Sequence, residues 1–143
     1  MQLTSFTDYA LRTLIYLGLQ PNDRLVSVNE ICEHFNMSRN HVIKVTQQLS
    51  QKEYIASARG RQGGIRLSRS VDTINIGQVI RDFEKRLTPI DCEGGECPIV
   101  HRCTLQQILA KAQTAFLAEL DAYLLSDVIK NPAPLIALLK IEA

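Results

Sequence analysis

The sequence predicts a mainly helical fold carrying one small β-hairpin, and three observations point that way. Apolar residues recur at helical spacing along most of the chain. Asn36-Met37 separates two helical runs by no more than a tight turn. Arg59-Gly60-Arg61-Gln62-Gly63-Gly64 supplies a glycine-rich turn between two short β-prone runs. At 143 residues the chain makes one domain, or a small domain with a helical extension. We divide it into a head over 1–72, a connecting helix and loop over 73–103, and a helical extension with a tail over 104–143.

The first helix covers 4–19, with Thr4 or Ser5 as its cap. Phe6, Ala10, Thr13 and Leu17 share one face, and Leu11, Ile15 and Leu19 share the opposite one. A surface helix buries one stripe, so the second implies contact with another element or another subunit. Asp8 lies on that second stripe, one turn before Arg12, where an i,i+4 ion pair is the simple expectation. Pro21-Asn22-Asp23 breaks the helix, and Ser27-Val28-Asn29-Glu30 is a capping box opening a short helix to about Phe35. Ser38 then caps a longer helix to about Lys52.

Val42, Val45 and Leu49 make the buried side of that second helix. Its outer side presents Asn40, Ile43, Lys44, Gln47 and Gln51, flanked by Ser38, Arg39, His41 and Gln48. Amides, a cation and an aliphatic tip suit base edges, a phosphate and a thymine methyl. A plain solvated helix would look similar, so this segment alone leaves the matter open. The next one tips the balance. Strands over 54–58 and 65–67 flank a turn holding Arg59, Gly60, Arg61 and Gly63, with Arg66 on the returning strand. A basic hairpin directly after a helix-turn-helix is a wing, whose arginines fit a narrow minor groove while the helix sits in the major groove. The head is therefore a winged helix-turn-helix, and the partner it implies is double-stranded DNA.

A short helix over 73–83 starts at Asn75-Ile76-Gly77-Gln78. Thr104-Leu105-Gln106-Gln107 is a further capping box, opening a long helix to Leu125. Leu105, Leu109, Ala112, Phe116, Leu120 and Tyr123 recur at near-heptad spacing, joined by Ile108, Ala115 and Leu124. So continuous a stripe in so small a protein implies a homodimerisation helix, with burial inside one chain as the alternative. Asn131-Pro132-Ala133-Pro134 breaks the pattern, and the apolar tail over 135–141 is expected to pack against the dimer.

The formal net charge is only +1, so affinity for nucleic acid has to come from local charge. Lys52, Arg59, Arg61, Arg66 and Arg69 supply it, against the single acid Glu53. Apolar runs fall short of the ~18–20 residues of a membrane helix, and Met1-Gln2-Leu3 opens straight into helix with no signal-like segment. A cytoplasmic location with no membrane partner is expected. No Walker loop, nucleophile elbow, dinucleotide fingerprint or paired-carboxylate motif is present, and His34, His41 and His101 are scattered. The chain is not expected to be an enzyme.

Cys92, Cys97 and Cys103 stand in one loop, spaced C-x4-C-x5-C, with Gly94, Gly95 and Pro98 to fold it tightly. Such a loop can gather three thiolates round a soft metal or an iron–sulfur cluster. Structural zinc completed by His101 is the rival, although its ligands usually come as closer pairs. A disulfide with one spare thiol is disfavoured in a reducing compartment. Cys32, alone in a helix, reads as a small buried hydrophobe.

Taken in order, Leu3-Thr4-Ser5-Phe6-Thr7-Asp8-Tyr9-Ala10-Leu11-Arg12, the wing over 59–64 and the three-cysteine loop resemble the iron–sulfur winged-helix repressors, most closely their nitric-oxide-sensing branch. The resemblance covers about residues 1–125. It implies a homodimer crossed through the long helix, with one cluster per protomer on Cys92, Cys97 and Cys103, of the 4Fe–4S type ahead of 2Fe–2S. It also implies a pseudo-palindromic operator and nitric oxide as the signal, with iron, oxygen or redox sensing by the same architecture as the alternative. A more distant alternative is a zinc-stabilised adaptor that binds protein. In the assembly-regulator branch a histidine follows the last cysteine by three residues; here Gln106 holds that position. In the nitric-oxide branch an aspartate of the partner's first helix can be the fourth ligand, and the residue that the resemblance matches to it is Asp8.

Overall fold

The first helix, α1 (Ser5–Gly18), is the axis of the core. Thr4 caps it in an extended conformation, its hydroxyl accepting from the Thr7 N–H at 3.4 Å. Ala10, Thr13 and Leu17 are buried as the sequence predicts, and Phe6 packs its ring 5.8 Å from that of Phe83. Leu14 and Tyr16 are buried as well, which a two-stripe reading leaves out. Helices on several sides account for this: α1 touches every helix of the head described below. The structure, a computed structural model, describes residues 2–21, 24–60, 62–92 and 97–141, with the side chain of His101 excepted.

Ser27 caps α2 (Val28–Phe35), accepting from the Glu30 N–H at 3.1 Å, and Asn36 ends it in the left-handed region. Met37 is buried in the turn, and α3 (Arg39–Gln51) follows. Ser38 stands at its N-cap, but the hydroxyl makes no capping bond there. Val42, Val45 and Leu49 are fully buried, so the inner face of α3 is the predicted one.

Strands β1 (Ile55–Ala58) and β2 (Gly64–Leu67) pair antiparallel, Ile55 opposite Leu67 and Ala58 opposite Gly64. Val26, ahead of α2, adds a bridge to Ile65 through bonds of 2.9 and 2.8 Å. The wing is thus pinned to the α1–α2 connector.

A 3-10 turn over Val71–Thr73 precedes α4 (Ile76–Phe83), so that helix starts later than residue 73. Asn75 caps it, accepting from the Gln78 N–H at 2.9 Å, and its buried side is Ile76, Val79, Ile80 and Phe83. After a second 3-10 turn over Val100–Arg102 comes the long helix, α5 (Thr104–Asp121). It ends short of Leu125 because backbone pairing interrupts it: the Ile76 N–H donates to the Tyr123 carbonyl at 3.0 Å, and the Leu125 N–H to that of Ile74 at 2.8 Å. A short α6 (Leu125–Val128) follows, with Leu125 fully buried.

The tail forms a helix, α7 (Pro132–Leu139), because a proline in the first turn loses no helical hydrogen bond. Leu139 and Ile141 lie on the core of their own protomer, whereas Leu138 is 79% exposed. On α5 no residue is buried: Leu117 and Leu120 reach the core, and Leu105 and Ile108 are each 57% exposed. Packing inside one chain therefore accounts only for the C-terminal half of that helix. No helix among the described residues is long and apolar enough to cross a membrane.

Candidate nucleic-acid interface and cysteine loop

Turning Val42, Val45 and Leu49 inward leaves Ser38, Arg39, Asn40, His41, Lys44 and Gln47 exposed together on α3. Arg39 is steadied from behind, its Nε donating to Asn29 Oδ1 at 2.7 Å, and the His41 ring lies 6.1 Å from that of Tyr9. Ile43 is half-buried, and Gln48 turns away from this face, donating to the Asp82 carbonyl at 2.8 Å. On the wing, Arg59 and Gly60 are exposed. Gly60 has φ +114°, a backbone setting that a side chain would strain, and its carbonyl accepts from the Gly63 N–H at 3.0 Å. Arg66 is exposed on β2 opposite Ala56; Arg61 lies outside the described residues.

Two cations of the predicted basic group have other duties. Arg69 donates to the Glu53 and Lys52 carbonyls at 2.8 and 2.7 Å, with its guanidinium 4.7 Å over the Tyr54 ring. It closes the C-terminal end of α3, whose last carbonyls lack helical partners. Lys52 reaches Asp82 at 3.3 Å. Sequence reasoning could separate these from Arg59 only by noting that they lie at the feet of the hairpin and not at its tip. Arg59→Ala is expected to weaken binding to all DNA sequences alike and to lower the slope of log K against log salt by about one. Arg69→Ala should instead lower the unfolding temperature. Fluorescence anisotropy across a salt series reads the first effect, and an unchanged slope removes Arg59 from the interface.

All four cysteines are free thiols. Cys97 is exposed, while Cys92 and Cys103 are half-buried. Cys103, not Thr104, is the N-cap of α5, its sulfur accepting from the Gln106 N–H at 3.5 Å. Cys92 shares a cavity of about 180 Å³ with Gln106, Leu109 and Gln113 of α5, whereas Cys103 lines a second one with Pro98, Ile99 and Leu105. Three free thiols are the right donors for soft iron. Among the described residues of one protomer, however, no three Cys, His, Asp or Glu side chains converge closely enough to hold an ion. Cys32 is half-buried in α2, and burial pushes its thiol up, away from the thiolate that a ligand must be. Asp8 forms the expected pair: Arg12 Nε and Nη2 lie 2.9 Å from its two oxygens, with both side chains some two-fifths exposed.

The family described as "Rrf2: Iron-dependent Transcriptional regulator" matches residues 3–131, most of the chain. The chain belongs to the Rrf2 family. It is thus a transcriptional regulator and not an enzyme, and its helices and two-stranded wing are those of an Rrf2 winged helix. Rrf2 regulators bind DNA and are typically dimeric. Among solved structures, CymR (YrzC), the global cysteine regulator of B. subtilis, matches with a TM-score of 0.74 at 22% identity, over 91% of this chain and 97% of that one. IscR of T. potens matches with 0.75 at 21%, over 92% and 88%. The oxidized form of Staphylococcus aureus CymR gives 0.70 at 25%, over 87% and 93%. At these identities the likeness is one of fold.

Proposed function

We propose that this Rrf2 regulator is a nitric-oxide-responsive repressor, holding a pseudo-palindromic operator as a homodimer whose protomers each carry an iron–sulfur cluster. Cys92, Cys97 and Cys103 would hold the cluster, with the partner subunit's Asp8 as fourth ligand. The observation that carries this reading is a loop of three free thiols running directly into the N-cap of α5, the helix with an open apolar face. Gln106, where a histidine would mark the assembly-regulator branch, supports the nitric-oxide branch. When bound, the cluster supplies iron with which nitric oxide reacts.

The chain's own residues supply the rest. Arg12 orients the Asp8 carboxylate on the outer side of α1, and an exposed pair of that kind contributes under ~1 kcal/mol. Giving that carboxylate to a partner's loop therefore costs α1 little. Shared in this way, Asp8 ties the head of one protomer to the cysteine loop of the other. Two heads so tied present their α3 helices about one duplex turn apart, or a multiple of it. Asn40, Lys44 and Gln47 then face base edges while Arg59 and Arg66 reach phosphates and the minor groove.

Anaerobic purification followed by titration with nitric oxide, and separately with oxygen, tests the reading. Brown protein with acid-labile sulfide, losing its operator on nitric oxide, is the expected result. Colourless protein with stoichiometric zinc ends it, and release by oxygen alone moves the signal to the redox alternative. Asp8→Ala should keep part of the iron and change the response to nitric oxide; an unchanged response leaves Asp8 with Arg12 alone.

A further inference from the structure

Two consecutive residues of α4 hold two different helices. Arg81 grips the end of α5: its Nη1 and Nη2 lie 2.5 and 2.7 Å from the two carboxylate oxygens of Asp121. Asn75 adds a bond to the Asp121 carbonyl at 2.7 Å, and the guanidinium holds the Asp121 carboxyl below the usual carboxylate range. Gly77 makes room for this, since a Cβ there would collide with the Asp121 carboxylate.

Asp82 faces the recognition side. Its carboxylate accepts from the Tyr54 hydroxyl at 2.7 Å and from Lys52 at 3.3 Å, and its carbonyl accepts from Gln48 at 2.8 Å. Gln48 belongs to α3, Lys52 is its C-cap, and Tyr54 lies two residues further on. Burial and the Asp82 carboxylate both push the Tyr54 phenol up, so it remains a donor at neutral pH.

An ion pair as exposed as Arg81–Asp121 adds little to stability, so stability does not explain that contact. Direction does: a two-pronged guanidinium–carboxylate contact fixes an angle that apolar packing alone lets slide. We propose that α4 is a tie between α5 and α3, with Arg81 and Asp82 as positioning residues that set where the recognition helix stands relative to the dimerisation helix, and so which half-site spacing the protein selects. This rests on the reading of the chain as a DNA-binding dimer.

The test uses the full chain with Asp121→Asn, Asp82→Asn and both together. A duplex selected by the wild-type protein from random sequence provides the half-site. Binding is measured by fluorescence anisotropy on duplexes carrying two half-sites at spacings varied one base pair at a time, and on a duplex carrying one. Wild type should favour one spacing by the roughly 5- to 150-fold typical of a coupled element. Each single variant should flatten that preference to within about threefold, with affinity for the lone half-site and the unfolding temperature near wild type. The double variant should be no flatter than either single, since both changes cut one connection. Variants that retain the wild-type spacing profile overturn the tie, as do variants whose lone-half-site affinity falls in step. A wild-type chain that binds DNA without any spacing preference also overturns it. One that binds no duplex removes the DNA reading itself, and the tie with it.

Discussion

Alanine at Cys92, Cys97 or Cys103 is expected to abolish iron binding and to cut operator affinity by ~10⁴-fold, while Cys32→Ala leaves both intact. The size follows from what a switch has to do. Moving a site from 99% to 1% occupied needs a difference of about 5.5 kcal/mol between the two states. A single phosphate or base contact is worth far less, about 1–3 kcal/mol. Uncoupling two heads that bind together forfeits an avidity of about 10²–10⁴, which approaches the required amount. The cysteine effect is thus expected to act through the relation of the heads and not through any one contact. Iron and sulfide content, read beside anisotropy under anaerobic conditions, checks it. Apo and loaded protein holding one promoter fragment equally tightly would show that no such switch exists.

Ile108→Asp should convert the dimer to a monomer and lower operator affinity by about 10²–10⁴-fold. Ile108 and Leu105 are each 57% exposed on a helix with no buried residue, so a charge there disturbs little within a protomer. Surface substitutions of that kind stay within about 0.5 kcal/mol of folding stability. Between two copies of α5 the same carboxylate would be desolvated without a partner, a cost of several kcal/mol. Light scattering at micromolar concentration, with circular dichroism to verify the fold, separates the two effects. A variant that remains dimeric moves the interface off this face.

Features held by neighbours in the chain were legible in the sequence. Thr4, Ser27 and Asn75 cap the helices expected of them, and Val42, Val45 and Leu49 turn inward, because capping and periodicity act over a few residues. What was illegible depends on distant pairing. No local signal says that Val26 bridges Ile65, or that the backbone of 74–76 meets that of 123–125 and ends α5 early. The proline run breaks the helical pattern as expected, but no local signal says that it also opens α7. In the candidate site, the outer face of α3 and the wing arginine Arg59 could be named from pattern alone. The tied roles of Lys52 and Arg69 could not, since Lys52 meets Asp82 only once α4 has docked and Arg69 meets the Glu53 carbonyl only once the hairpin closes. The cysteine loop showed its donors and their spacing. Its assembly did not show, because on the proposed reading part of what would complete it belongs to a second copy.

The two sides of α3 divide their duties, the core resting on Val42, Val45 and Leu49 while Asn40, Lys44 and Gln47 are exposed on the other side. If Asn40, Lys44 and Gln47 read the operator as proposed, target and scaffold are inherited separately, and drift at those three would readdress the regulator to a new set of genes without touching the residues that keep it folded.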